Sequence, residues 1–450
     1  MESRKLAEFA ADIRFEDIPL EVREKAKLCL LDCLASILGS YDEPAIAILR
    51  ETIAAQGIGD GTATAPAFGL KLPPMFAALL NSAMSQAREN DDFHKKSICH
   101  IGSTTIPPAI AFAEANKKGG RDLLTAIVAG YEVGIRVGEA INPDHHKIWH
   151  TTGTCGTFGA AVSVGKLLCL DAGRMNMALG TAGTQAAGLN QYMIDGGEMS
   201  KPLHAGKAAF NGYLAADLAA RGFTGAERIL EGDKGFCRAT TPSYDLGKLI
   251  AGLAPIPEKF KISEVTQRLF PVNGHILSVL DALFSVLAGK PGLKAEDIEE
   301  IDVGLYHEGY NFLTPVEPRT PFLARFSVPF CVAIAVLTRK VDNESFTPAT
   351  IADPRIAQLS KKVRLHEDPE LTRVFPTVWS AKVRVVAHGE TLDGYAKTAK
   401  GDPSNPLTLE DVAAKFQKAA GRIFDDDRVQ RILERCMAID ELEDVSHLFD

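Results

Sequence analysis

The sequence predicts a mostly α-helical protein in which a large all-helical domain is interrupted by a smaller α+β domain. Three observations carry this. Alanine- and glycine-rich helical stretches at 156–165, 178–189 and 205–220 present small side chains that let helices pack closely. Strand-like runs of β-branched residues are confined to Ile298–Leu305 and Ala381–Ala387. Helical periodicity then returns over 408–440. The expected division places residues 1–260 and 408–450 in the helical domain and 261–407 in the α+β domain.

In chain order, residues 5–39 read as two helices. Pro19 opens the second, whose stripe of Val22, Ala26, Cys29, Leu30, Cys33, Leu34 and Ile37 ends near Gly39. Residues 43–56 form a third helix, and the Gly/Thr/Ala-rich 57–72 segment is a loop with a short extended piece. Pro73-Pro74 opens another helix, and Ile106-Pro-Pro is expected to open the next in the same way. Residues 122–141 are strongly helical, with Glu132 and Arg136 one turn apart. The loop after Asn142 feeds a small-residue helix, and Pro202 begins the following one after the Gly196-Gly197 turn. Character changes at 255–261. The two strands follow, the second ending in the turn His388-Gly-Glu, with helices at 275–288 and 328–337. After Leu407, Thr408 is an N-cap for a helix that places Val412, Phe416, Ala419 and Ile423 on one face.

The 450 residues carry a net charge of −9, with no Lys/Arg-rich run, which argues against a nucleic-acid partner. Apolar runs such as 29–38 are too short to cross a bilayer. The opening Met-Glu-Ser-Arg-Lys lacks the apolar core of a signal peptide, so a cytoplasmic location is expected. The eight cysteines form no Cys-x-x-Cys pair, which disfavours structural zinc and iron–sulfur clusters and predicts buried thiols.

Candidate chemistry lies in four polar stretches. Residues 89–103 contribute Asp91, Asp92, His94 and His100. The loop before the small-residue helix contributes His150, and the next one Lys201 and His204. Arg268-Leu-Phe-Pro-Val-Asn-Gly-His275 supplies Arg268 and His275. Imidazoles beside fixed cations make a site that moves protons while holding an anion, and the cations match carboxylates. Each residue also has a plainer account. His94 fits a solvated loop, His150 a helix cap, Lys201 a surface lysine and His204 a first-turn residue; His145, His146 and His307 are read as surface residues. Zinc on His94, His100 and Asp91 or Asp92 matches no standard ligand spacing, and the interleaved lysines oppose a cation, so no metal is expected. A Gly-x-Ser-x-Gly elbow is absent, and Gly-x-Gly runs such as 57–61 lack the strand–turn–helix frame of a dinucleotide site.

Several segments together carry a resemblance: Pro19-Leu-Glu-Val-Arg-Glu-Lys-Ala-Lys, Leu31-Asp-Cys-Leu-Ala, the 89–103 stretch and Gly130-Tyr-Glu-Val-Gly-Ile-Arg136. They are followed by His150-Thr-Thr-Gly-Thr-Cys-Gly and Ser200-Lys-Pro-Leu-His-Ala-Gly-Lys-Ala-Ala209. Ile229-Leu-Glu-Gly-Asp-Lys-Gly-Phe236 and Ala324-Arg-Phe-Ser-Val-Pro-Phe330 close the series. Over nearly the whole chain the sequence resembles the MmgE/PrpD family, which includes 2-methylcitrate dehydratase, cis-aconitate decarboxylase and iminodisuccinate epimerase. The resemblance implies a cofactor-free, homodimeric enzyme with a helical domain and an α+β lid. Its cleft would hold Asp92 or Asp91, His100, His150, Lys201, His204, Arg268 and His275 between the two domains. Phe93 stands where relatives often carry threonine, Ile101 where proline is common, and Leu277 where a second histidine is frequent. Those departures weigh against cis-aconitate decarboxylation.

The expected reaction is that of a lyase on a small di- or tricarboxylic acid, 2-methylcitrate dehydratase-like. His150 takes a proton α to a carboxylate and Lys201, with Arg268, clamps the substrate. Cis-aconitate decarboxylation and epimerisation of an iminodicarboxylate pass through the same carbanion-like intermediate and are the alternatives. Outside enzymes, the competing class is a non-catalytic carboxylate-binding protein.

Overall fold

Prolines and side-chain caps set most helix starts. Pro19 precedes α2 (Leu20–Leu38) and Gly39 follows it; Pro44 opens α3 (Pro44–Ala55) and Pro74 opens α4 (Pro74–Gln86). The computed structural model describes residues 1–253, 255–314 and 316–450. They divide into two compact units: residues 1–87, 91–267 and 408–450, and residues 88–90 with 268–407.

The larger unit is helical apart from the hairpin of β1 (Ala63–Ala65) and β2 (Leu70–Leu72). After α1 (Glu2–Asp12), α2, α3 and α4 come α5 (Ile101–Ala115), α6 (Gly120–Ile141), α7 (Thr151–Leu167), α8 (Ala172–Gly183), α9 (Gln191–Asp195) and α10 (Ser200–Ala220). The most extensive helix packing is among α4, α5, α6, α7 and α10. Glycine explains the close α6–α7 crossing. A Cβ on Gly130 would lie 2.8 Å from the Gly159 carbonyl oxygen, and one on Gly159 would lie 3.0 Å from that of Gly130. Neither position accepts a larger residue without moving a helix.

The C-terminal helix Leu409–Ala420 begins at Thr408, whose hydroxyl accepts from Asp411 N while the Asp411 carboxylate accepts from Thr408 N, a capping box. Val412 and Phe416 are fully buried, and Lys415 Nζ donates to the buried Asp32 Oδ1 at 2.7 Å. The acid of the Leu31-Asp-Cys stretch therefore ties the returning segment to α2.

The smaller unit holds a four-stranded sheet of order β4-β3-β5-β6, from β3 (Ile298–Leu305), β4 (Val363–Glu367), β5 (Ala381–Ala387) and β6 (Glu390–Ala396). β3 and β4 are parallel; the other pairs are antiparallel. β5 alternates buried and more exposed residues, and the helix Leu277–Gly289 packs on β5 and β6. His388 and Gly389, at φ +51° and +72°, form the two-residue turn between β5 and β6.

Local expectations needed correction in three places. α5 starts at Ile101, five residues before Ile106, and carries Pro107 and Pro108 inside it. Its first turn is secured by Asp92, whose Oδ1 accepts from Gly102 N at 3.1 Å, a long-range cap that the prolines do not signal. β4 and β6 were not predicted. Their outward positions are too polar (Arg364, His366, Glu390, Asp393) to give the apolar run that identifies β3 and β5. His145 is fully buried rather than a surface residue.

Candidate active site

Three helix N-termini deliver the imidazoles and the lysine. His100 is the N-cap residue of α5, His150 that of α7, and Lys201 and His204 lie in the first turn of α10, three residues apart on one face. Because α7 packs on both α5 and α10, these ends meet. The His100 and His150 ring centroids are 6.4 Å apart, and those of His150 and His204 are 5.3 Å apart. His100 N donates to Thr152 Oγ1 at 3.1 Å, and His150 N to the Gly188 carbonyl at 2.9 Å. Helix N-termini present partial positive charge, so this convergence favours an anion and neutral imidazoles.

His100 Nδ1 lies 3.2 Å from Asp91 Oδ2. Asp91 is 1 % exposed, while the His100 side chain keeps some solvent access. A carboxylate on Nδ1 fixes the tautomer that leaves a lone pair on Nε2, the arrangement of a general base. Asp92 is differently placed. Its Oδ1 takes the Gly102 amide and its Oδ2 the Tyr131 hydroxyl at 2.6 Å, and burial raises its carboxyl to about 6. Asp92 therefore supports the start of α5.

His150 and His204 share a hydrogen bond, Nδ1 to Nδ1 at 3.1 Å, which requires at least one neutral ring. Burial, then His204, His100 and His146, hold His150 well below the ordinary histidine range. Its buried Nε2 has no hydrogen-bond partner among the described residues. Lys201 is 5 % exposed, far from the surface-lysine account.

Tyr192, on α9, was missed by the sequence reading. Its ring meets those of His150 (6.0 Å) and His204 (5.6 Å) edge-on and is buried. A lone tyrosine in a short polar helix gives no sequence signal. His146 was also missed. It is half-buried, with Nδ1 3.3 Å from Thr151 Oγ1, and is depressed to about 4 by burial and then by His100.

His94 belongs to another cluster. Its Nδ1 accepts from Ser97 N at 3.2 Å, and its Nε2 lies 3.8 Å from Glu139 and 3.6 Å from Glu264. These three residues are close enough to hold an ion. Lysines already serve that acidic pair: Lys261 Nζ is 2.8 Å from Glu139, and Lys259 and Lys96 are 3.5 and 3.6 Å from Glu264. With Nδ1 engaged in the loop and Nε2 turned to the acids, His94 is a structural residue of the 89–103 segment.

In the smaller unit, Arg268 is 2 % exposed and ion-paired with Glu89 at 2.8 Å, and it also donates to the Val272 carbonyl. Its charge is matched within the protein. His275 Nδ1 is hydrogen-bonded to the Tyr306 hydroxyl, and its ring stacks on Trp379 at 4.5 Å. Leu277 is buried in the helix core. A cavity of about 590 Å³ beside the β1–β2 hairpin is lined by Arg50, Ile53, Lys71 and Leu72 and by none of the histidines.

The buried histidines predict acid lability. His145, with Nε2 2.8 Å from Thr154 Oγ1, is depressed from 6.5 to about 4, chiefly by burial, and His204 likewise. A depressed imidazole contributes stability that is present above about pH 6.5 and lost as pH falls through 4, for His145 up to about 3 kcal/mol. Asp92, raised to about 6, acts in the opposite sense, its contribution being lost as pH rises from 4 through 6. Four imidazoles, His145, His146, His150 and His204, are depressed by burial and outweigh Asp92 over this range, so the melting temperature should fall between pH 7 and 5. His145→Asn should flatten that slope. A melting temperature independent of pH over this range would contradict the burial argument.

Comparison with known proteins is consistent over both units. The MmgE/PrpD N-terminal domain matches residues 4–248, and the MmgE/PrpD C-terminal domain matches residues 270–439. The chain is 26% identical over 474 residues to a cis-aconitate decarboxylase of Aspergillus terreus, covering 99% of this chain and 94% of that protein. It is 28% identical over 442 residues to the cis-aconitate decarboxylase of Homo sapiens, covering 95% and 89%. Among the described residues, no helix is long and apolar enough to cross a membrane.

Proposed function

Because the chain belongs to the MmgE/PrpD family and is a lyase of that family, we propose that it acts without a cofactor on a small di- or tricarboxylate through a carbanion-like intermediate. The observation that carries this reading is the Asp91–His100 pair beside His150, His204 and Lys201. The role of base moves from His150 to His100. His100 has a carboxylate facing its Nδ1, the arrangement that orients Nε2 for proton transfer, whereas burial and neighbouring imidazoles oppose protonation of His150. His150 and His204 then serve as neutral hydrogen-bonding groups, and Lys201 holds a substrate carboxylate. Arg268, already paired with Glu89, is set aside as the clamp.

Two reactions fit these groups. In decarboxylation of cis-aconitate, the reaction named for the relatives, the carbon–carboxylate bond breaks, carbon dioxide leaves, and its electron pair enters the allylic system. A proton from the His100 imidazolium then completes the product. In dehydration of a 2-methylcitrate-type hydroxy acid, His100 takes the α proton and the hydroxyl leaves as water after protonation by a cationic group. The second reading is favoured by Phe93, whose apolar ring lies 6.1 Å from His100 at a position where the family resemblance implies a hydroxyl for decarboxylation. A homodimer is expected from the family resemblance and is checked by light scattering.

Incubation with cis-aconitate, 2-methylcitrate and iminodisuccinate, followed by proton NMR, separates the reactions. Turnover of one of the first two is expected, at a rate unchanged by a chelator, because the acidic cluster of the larger unit carries its own lysines. Turnover of iminodisuccinate alone would make the protein an epimerase, and chelator loss restored by one divalent ion would overturn the cofactor-free reading.

A further inference from the structure

Behind Asp91 lies a line of buried hydroxyls that the proposed chemistry has not used. Ser103 Oγ donates to Asp91 Oδ2 at 2.6 Å, Ser85 Oγ lies 2.8 Å from Ser103 Oγ, and Cys33 Sγ lies 3.5 Å from Ser85 Oγ. All four residues are buried, Ser103 completely. Each hydroxyl and the thiol has one proton to give, and this forces a direction. The Ser103 proton goes to the carboxylate, so Ser85 must donate to Ser103. Cys33, whose burial keeps it a neutral thiol, is left to donate to Ser85. The same Asp91 oxygen faces His100 Nδ1 at 3.2 Å. The chain therefore runs from the Cys33 thiol through Ser85 and Ser103 to Asp91 and ends on the imidazole, every donor aligned, in a dry interior where such chains reinforce one another.

We propose that Ser103, backed by Ser85, is a positioning residue for the Asp91–His100 pair: it fixes the carboxylate rotamer and so holds His100 in the tautomer protonated on Nδ1. This rests on the reading of His100 as the base. A carboxylate that lost this donor would be held less firmly about its Cα–Cβ bond, and the imidazole would lose part of its orientation with it. Ser103 is the third residue of α5, and its backbone is fixed by the cap that Asp92 places on Gly102, so the hydroxyl is delivered by a rigid element.

Ser103→Ala should lower kcat by about tenfold to a hundredfold, the usual weight of a hydrogen bond to a charged group, with KM little changed. The acid limb of its kcat/KM profile should move to lower pH, since a carboxylate no longer held toward His100 gives the imidazolium less support. Ser103→Thr, which keeps the hydroxyl, should recover most of the rate, and Ser85→Ala should show a smaller effect of the same sign. His100→Gln is measured alongside. If it retains turnover, the base assignment falls and this inference with it. If it is inactive while folded Ser103→Ala matches the parent in kcat and pH profile, only the positioning role is overturned. Should Ser103→Ala fail to fold, Ser85→Ala decides, and parent-like kinetics in that variant would count against the chain.

Discussion

His100→Gln is expected to reduce kcat by about 10²–10⁴-fold, the usual contribution of a positioned proton-transfer group, while leaving the melting temperature close to that of the parent. The residue caps no amide with its side chain and keeps some exposure, so the fold does not lean on the ring. Glutamine retains a donor toward Asp91 Oδ2, which at 3.2 Å accepts a side-chain N–H equally well. What it cannot do is accept and return a proton near neutral pH. The measurement is kcat on whichever acid the parent turns over, paired with thermal unfolding. A stable variant within a few-fold of parental kcat would remove His100 as the base and return the role to His150. His150→Ala is the matched comparison. It should impair the rate through loss of a hydrogen-bonding partner for His204, and it should also cost stability, because a fully packed ring is removed.

Lys201→Ala should lower kcat/KM by about 10²–10³-fold, the scale found when one preorganised group that stabilises developing charge is deleted. A buried ammonium at a helix N-terminus is unfavourable for the fold: the helix end is already positive, and burial adds a desolvation cost. An anionic substrate relieves both. The charge acts in the ground state and more strongly on the charge that develops in the transition state, so KM should rise together with a fall in kcat. Inhibition by unreactive dicarboxylates should weaken in parallel. Undiminished dicarboxylate binding by Lys201→Ala would show that the lysine is structural.

The amino-acid sequence alone specifies the class of fold and the kinds of chemistry available. Small-residue helices, two β-branched runs and the return of helical period after Leu407 are local properties, and they survive in the structure because small residues let α7 be buried almost all round while β5 and the helix Leu409–Ala420 bury one face each. It also determined the inventory of His100, His150, Lys201 and His204, since imidazoles and lysines in polar stretches between apolar helices are visible without coordinates. Which groups work together was decided only by tertiary packing. Asp91 and Asp92 are neighbours in sequence, yet one faces His100 and the other caps α5 through Gly102 and Tyr131. His94 and Arg268 looked available for a substrate, and the fold engages them with Glu139, Glu264 and Glu89. Tyr192 and the Ser85–Ser103 line have no local signature at all. A hydroxyl or ring acquires a role from what lies within about 3–6 Å of it, and that neighbourhood is assembled from α2, α4, α5, α7, α9 and α10 only when the helices pack.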